Sequence, residues 1–202
     1  PGANPPMDIE SKLAALGLEL PDIEAMYRSN PTGYSHLYTV DAATGEKNQL
    51  TKGEFEVRDV RISKDKKWWY FRSNEVHPGE LHLYRMKIGG GKWEQITTMT
   101  GNNDGVFSPD EKTIAIRYSY SNRPWDLFVM KNKSKAKAVR LTDSQTGEWK
   151  AYPWRDPEII TFSAEDGAEV YARLYRPEKS EENGPAVIFV HGAGYLQNVH
   201  KW

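Results

Sequence analysis

The sequence predicts a mainly β protein: a partial β-propeller of four-stranded antiparallel blades, followed by the first strands of an α/β domain. Three observations carry that reading. An apolar residue followed by Thr recurs at Leu50-Thr51, Ile96-Thr97 and Leu141-Thr142, at spacings of 46 and 45 residues, close to the roughly 40–45 residues of a four-stranded blade. The order of turns and strands inside each copy also repeats. From Tyr152 the pattern stops, and a continuous apolar run, Ala186-Val187-Ile188-Phe189-Val190, replaces the earlier strands. Such a run suits a strand buried on both faces in a parallel sheet.

Residues 1–22 stand apart as an atypical N-terminal segment. None of the 24 aromatic residues precedes Tyr27. The opening Pro1-Gly2-Ala3-Asn4-Pro5-Pro6 has no initiator Met, no basic stretch and no apolar core, so this end is not a signal peptide and a natural N-terminus further upstream is expected. Asp8 can cap a short helix in which Ile9, Leu13 and Leu16 recur at helical spacing, and Gly17 can stop it. Its apolar stripe reads as a packing face.

The repeats occupy residues 23–150. In the middle copy, Ser63-Lys64-Asp65-Lys66-Lys67 is a turn, followed by strands at Trp68–Ser73, Leu81–Met86 and Trp93–Thr97. The third copy matches it with the turn Ser108-Pro109-Asp110-Glu111-Lys112 and strands at Ile114–Ser119, Asp126–Met130 and Val139–Thr142. The first copy is degraded at its start but recovers at Ala25–Ser29, Ser35–Val40 and Asn48–Thr51. Innermost strands are expected at Val57–Ile62 and Asp104–Phe107. Short β-branched and aromatic runs broken by Gly, Pro, Asn and Asp cannot sustain a helical stripe. An antiparallel sandwich also has short, evenly spaced strands, but it gives no reason for turn chemistry to repeat. About ten strands are expected between residues 23 and 145, with the turns at 63–67 and 108–112 equivalent. Two blades and a part cannot close a ring of about four to eight, so the chain reads as an excerpt of a longer protein.

Residues 151–202 read as the start of a second domain. Ile159–Ala164 and Ala168–Tyr175 form a hairpin around Glu165-Asp166-Gly167, and the charged stretch 178–185 is a surface connection. The apolar strand 186–190 then delivers His191-Gly192-Ala193-Gly194 at its carboxyl end. In open α/β sheets the reactive crevice lies there, and in α/β-hydrolases a His-Gly-Gly type turn at that place gives a backbone N–H to the oxyanion hole. His191, Gly192 and Ala193 are therefore the candidate site residues.

Together these features resemble the dipeptidyl peptidase IV branch of the prolyl oligopeptidase family. The resemblance rests on the Ser-Pro-Asp-Glu-Lys type turns, Gly33-Tyr34-Ser35-His36-Leu37-Tyr38, Leu50-Thr51-Lys52-Gly53-Glu54-Phe55-Glu56-Val57, the hairpin before Pro177 and Val187-Ile188-Phe189-Val190-His191-Gly192. It covers roughly residues 23–202 and implies a propeller followed by an α/β-hydrolase domain that cleaves peptides with a Ser-His-Asp triad. The chain would then hold the last blades and the truncated opening of the peptidase domain. No G-x-S-x-G occurs, so the triad is expected beyond Trp202 and the isolated chain is expected to be inactive. The resemblance further implies release of N-terminal dipeptides, a peptide substrate, no cofactor, a periplasmic or secreted location, and room for a homodimer of the full-length protein. The acidic pair that holds the substrate's amino terminus would lie in earlier propeller sequence. The branch usually has Tyr where this chain has His191, which turns attention to a backbone donor. The alternative function is a propeller that binds peptides or proteins without catalysis.

Other chemistries find little support. With 27 basic and 28 acidic residues the net charge is −1, without the basic field that nucleic-acid binding needs. Mean hydropathy is −0.73, and no apolar run approaches the 18 or so residues of a membrane helix. The absence of cysteine removes disulfides, thiolate nucleophiles and cysteine zinc sites. His36, His77, His82, His191 and His200 lack HExxH-type spacing, so no metal site is expected. Gly89-Gly90-Gly91-Lys92 has Met86 and Trp93 where a phosphate loop needs Gly and Ser or Thr, and reads as a hairpin turn. Lys131, Lys133, Lys135 and Lys137 read as a solvated loop.

Overall fold

The computed structural model describes residues 25–29, 33–178, 184–192 and 197–202. The helix expected over residues 8–16 lies outside them, as does Ala193. The chain divides into two compact units, residues 1–52 and 53–202.

In the first unit β1 (Ala25–Ser29), β2 (His36–Val40) and β3 (Lys47–Gln49) form an antiparallel sheet in that order. Asp41 turns the chain between β2 and β3 by accepting the N–H groups of Ala43 and Thr44 on its Oδ1 at 2.9 and 2.8 Å. This short-range Asx geometry is the reason Asp favours turns. Beyond β3, Leu50 N–H donates to Leu37 O, and Thr51 Oγ1 accepts Leu37 N–H at 2.9 Å. Leu37 is fully buried.

The second unit opens with two four-stranded antiparallel sheets. One is β4 (Val57–Ile62), β5 (Trp68–Ser73), β6 (His82–Lys87) and β7 (Trp93–Gln95). The other is β8 (Asn102–Phe107), β9 (Thr113–Tyr120), β10 (Arg123–Lys131) and β11 (Val139–Arg140). Each sheet runs in sequence order, as in a propeller blade, and the eleven strands up to β11 agree with the reading from sequence. β4 and β8 are the first strands of their sheets, at the positions expected for innermost strands. The pairing of β4 with β5 shifts between Arg58 and Arg61, where Asp59 has φ 51°. The pairing of β10 with β9 shifts between Arg123 and Asp126, where Pro124 has no N–H to give the ladder.

The two predicted turns are the same structure. Ser63 Oγ donates to Asp65 Oδ1 at 2.6 Å, and Ser108 Oγ to Asp110 Oδ1 at 2.7 Å. Each serine hydroxyl also accepts an N–H five residues on, from Trp68 and from Thr113, at 3.0 Å in both. Lys66 and Glu111 take left-handed φ values of 56° and 55° at matching places. The serine hydrogen bond is the main reason the carboxyls of Asp65 and Asp110 are both held below the ordinary range.

The threonine anchors match as closely. Leu83 N–H donates to Thr97 Oγ1 at 2.9 Å and Leu127 N–H to Thr142 Oγ1 at 2.8 Å, while Ile96 and Leu141 return their N–H groups to Leu83 O and Leu127 O. The repeated phrase thus ends each blade by fastening its outer edge to the third strand. Thr97 is buried, so Thr97→Ala leaves the Leu83 N–H without its partner and is expected to cost about 1–3 kcal/mol. Thr97→Ser should recover most of that loss. Urea unfolding of the three chains checks it, and an unchanged midpoint for the alanine variant would remove the hydroxyl from the account.

Side chains from both sheets share one core of Tyr70, Leu83, Ile96, Ile114, Ile116 and Met130. Polar contacts cross the same seam. Arg61 pairs with Glu111 at 2.6 Å and lies 3.8 Å from the Phe107 ring centroid. Asn132 Nδ2 donates to the Tyr70 phenol oxygen and to Glu111 O, both at 2.7 Å.

The lysine-rich loop is solvated through its lysines, as expected, and is also fastened to the blades. Its lysine side chains are exposed, but Lys135 N–H donates to Ile96 O, Ser134 Oγ to Gln95 O, and Ala136 and Ala138 pack on the core. Alternation explains both: odd positions face water and even ones face the preceding blade. Gly89–Gly91 is the hairpin turn that was expected, with Gly90 and Gly91 at φ 86° and 94° and Gly90 N–H donating to Lys87 O.

After the blades comes a short helix absent from the sequence reading, α1 (Gly147–Ala151), capped by Thr146 Oγ1, which accepts Trp149 N–H at 3.1 Å. The hairpin follows as β12 (Glu158–Ser163) and β13 (Glu169–Leu174), turned by Gly167 at φ 84°. The expected strand 186–190 is not formed. Val187 is 98% exposed and Phe189 81%, and residues 184–192 have no regular structure. A strand of this composition needs neighbours to satisfy its backbone and cover both faces, and no described residue pairs with it.

Candidate functional site

The glycine turn was the site the sequence singled out. Of its three named residues the structure describes two. His191 is half-buried, Gly192 is exposed, and the His191 imidazole lies with Nδ1 2.7 Å from Gly192 O. A carbonyl can only accept, so Nδ1 carries the proton in that contact. Among the described residues no side chain is hydrogen-bonded to His191.

The remaining histidines are spread through the fold. His36 in β2 has Nδ1 3.2 Å from Thr51 Oγ1. His77 accepts Gly79 N–H on Nδ1 at 2.9 Å. Burial first and the Lys201 charge second push His77 below the ordinary histidine value, against the pull of Glu80. His200 stacks on Trp202 with ring centroids 4.4 Å apart, and burial lowers its value too. Among the described residues no three His, Cys, Asp or Glu side chains gather as a metal site.

Two features escaped sequence reasoning. The first is a polar knot at Asp126, which sits on β10 where the earlier copies carry His36 and His82. Its buried carboxylate accepts from Thr142 Oγ1 at 2.8 Å and Ser144 N–H at 2.9 Å, and pairs with the Arg140 guanidinium. Burial alone would raise its pKa, but these donors and the positive charge outweigh that and lower it. The second is an open groove of about 640 Å³ beside β7, where Trp93 and Tyr84 meet Lys133 and Lys135 of the next blade's loop. Trp93 Nε1 donates to Glu75 Oε2 at 2.9 Å. The Asp126/Thr142 pairing is visible in the sequence only once the blades are aligned strand by strand.

Residues 11–125 match the family described as the dipeptidyl peptidase IV N-terminal region, more than half of the 202 residues. The chain belongs to the dipeptidyl peptidase IV family. The match begins at residue 11, ahead of the repeats, and ends inside β10. Among its relatives, the "Probable dipeptidyl peptidase 4" of Aspergillus fumigatus is 42% identical over 182 residues, covering 86% of this chain and 23% of that protein. An alignment that long necessarily extends past the blades into the β12–β13 hairpin. The "Probable dipeptidyl-aminopeptidase B" of Emericella nidulans is 28% identical over 119 residues, 56% of this chain and 13% of that protein. The "Dipeptidyl peptidase 4" of Arthroderma otae is 26% identical over 142 residues, 66% and 18% respectively. The chain therefore spans about a quarter or less of the length of these relatives. No helix among the described residues is long and apolar enough to cross a membrane.

Proposed function

We propose that the chain is part of a serine peptidase that releases dipeptides from peptide N-termini. The observation that carries this reading is the family membership, joined to 42% identity with a relative named as a dipeptidyl peptidase. In this reading residues 23–150 supply propeller blades, residues 151–202 begin an α/β-hydrolase domain, and the triad lies in sequence beyond Trp202. The apolar run 186–190 becomes a strand when it joins that domain's sheet. The turn His191-Gly192-Ala193 then stands at the sheet's carboxyl edge and gives a backbone N–H to the oxyanion. The full-length protein works in the periplasm or outside the cell, on peptide substrates, and forms a homodimer.

The test is turnover of a chromogenic Xaa-Pro substrate. The intact protein is expected to release the dipeptide, and the purified 202-residue chain to show no turnover above a heat-killed control. Loss of the nucleophile and general base removes most of the rate enhancement of such chemistry. Absence of turnover by the intact protein, together with peptide binding, would favour a non-catalytic propeller.

A further inference from the structure

The residues 197–202 lie on the loop between β5 and β6, and the contact is built from several independent groups. Lys201 N–H donates to Gly79 O at 2.8 Å, and Gln197 Nε2 donates to Pro78 O at 3.1 Å. A Cβ at Gly79 would stand 2.9 Å from Val199 O, so the close approach of the two backbones requires glycine there. Beneath them Glu80, only 6% exposed, takes Lys201 Nζ on Oε1 at 2.7 Å and His82 Nε2 on Oε2 at 2.9 Å. A carboxylate can only accept, so His82 Nε2 carries the proton in that contact. A buried carboxylate with one partner on the blade and one on the segment joins the two for as long as it is charged.

We propose that Glu80 is an acid-operated latch: its carboxylate holds segment 197–202 against the β5–β6 loop, and protonation releases the segment. Burial pushes the Glu80 pKa up, but the hydrogen bonds and charges of His82 and Lys201 outweigh it and bring the value down to about 2. The sign follows from that depression. The latch is fully effective above the ordinary carboxylate range and weakens as the pH falls through that range toward about 2. Facing the carboxylate are Lys201 from the segment, His77 from the loop, His82 and Tyr84 from β6, and Tyr118 from β9. Burial raises both phenols, so neither gains charge in acid. His77 becomes positive as the pH falls and repels Lys201, which also opens the latch. On the segment's other side His200 faces Arg173. The proposal rests on contacts within these residues and is independent of the peptidase reading.

Amide exchange read by NMR on the 202-residue chain tests it, with rates expressed as protection so that the intrinsic pH dependence is removed. Protection of the residue 201 amide is expected to fall at least about tenfold between pH 6 and pH 3, while the Leu83 and Ile96 amides keep theirs. In Glu80→Gln the residue 201 amide should be unprotected already at pH 6 and insensitive to acid. Should that change disturb the blade, Lys201→Met decides, since its side chain meets the blade through Glu80. It should lower protection at residue 201 more than about a hundredfold at pH 6, because one partner of a buried pair is lost, with blade amides intact. Protection in the wild-type chain that is independent of pH, or retained in Lys201→Met, overturns the latch.

Discussion

Gly101→Ala is expected to destabilise the second unit by about 3 kcal/mol or more, from backbone strain and overpacking together. Gly101 links the two blades, and its carbonyl accepts Leu81 N–H at 2.9 Å. It has φ 119°, a region that L side chains rarely adopt, and a Cβ there would stand 2.3 Å from Ser119 O and 3.2 Å from Lys201 O. Both obstacles are backbone carbonyls, so no side chain can swing aside. The blade junction has to move, and with it the Leu81 to Asn102 bridge that starts β8. Gly89→Ala is the control, because a Cβ at Gly89 meets nothing within 4 Å, and that change should stay within about 0.5 kcal/mol. Urea unfolding followed by tryptophan fluorescence compares the two. Equal midpoints would show that the junction is not fixed by the close approach at Gly101.

That glycine illustrates what the sequence could and could not reveal. The blades were legible because their information is local: Ser63 and Ser108 form hydrogen bonds within five residues, and Thr51, Thr97 and Thr142 each reach a leucine N–H fourteen or fifteen residues away. Features repeated at such short range leave the same residue types at the same spacing. The seam between the sheets was not legible. Arg61 and Glu111 are fifty residues apart, and Asn132 and Tyr70 sixty-two, and neither pair repeats elsewhere to mark it. Glu80 and Lys201 are separated by 121 residues, so the latch has no sequence signature. The lysine loop was legible only in part: its lysines face water as expected, but nothing local marked Ala136 and Ala138 as facing the core.

The candidate site divides along the same line. Composition and order pointed to His191, Gly192 and Ala193, since glycines after an apolar run mark a place where backbone can approach a ligand. What the run itself does depends on neighbours that local pattern does not supply, and the exposed Val187–Val190 shows how completely a doubly buried strand relies on them. Strands β5 and β9 are different. Their partners are the adjacent hairpin strands, so their pairing is set by short connections.

On the proposed serine-peptidase reading, His191→Ala in the intact protein is expected to lower kcat less than about tenfold, whereas Ala193→Val should lower it about a hundredfold to a thousandfold, the usual loss for one oxyanion donor. The asymmetry follows from the imidazole's position. With Nδ1–H directed to Gly192 O at 2.7 Å, that ring donor is already engaged and is not offered to a developing oxyanion. In the proposed reading the turn's own N–H groups hold the oxyanion, and donation from Gly192 or Ala193 makes the backbone path at residue 193 the sensitive feature. A β-branched side chain restricts that path, while loss of the imidazole removes one hydrogen bond beside it. Single-turnover acylation rates separate this from an effect on product release, and an unchanged urea midpoint separates it from unfolding. A hundredfold loss in His191→Ala with near-normal acylation in Ala193→Val would reverse the assignment and make the imidazole the donor. Wild-type acylation in both variants would remove the turn from the mechanism.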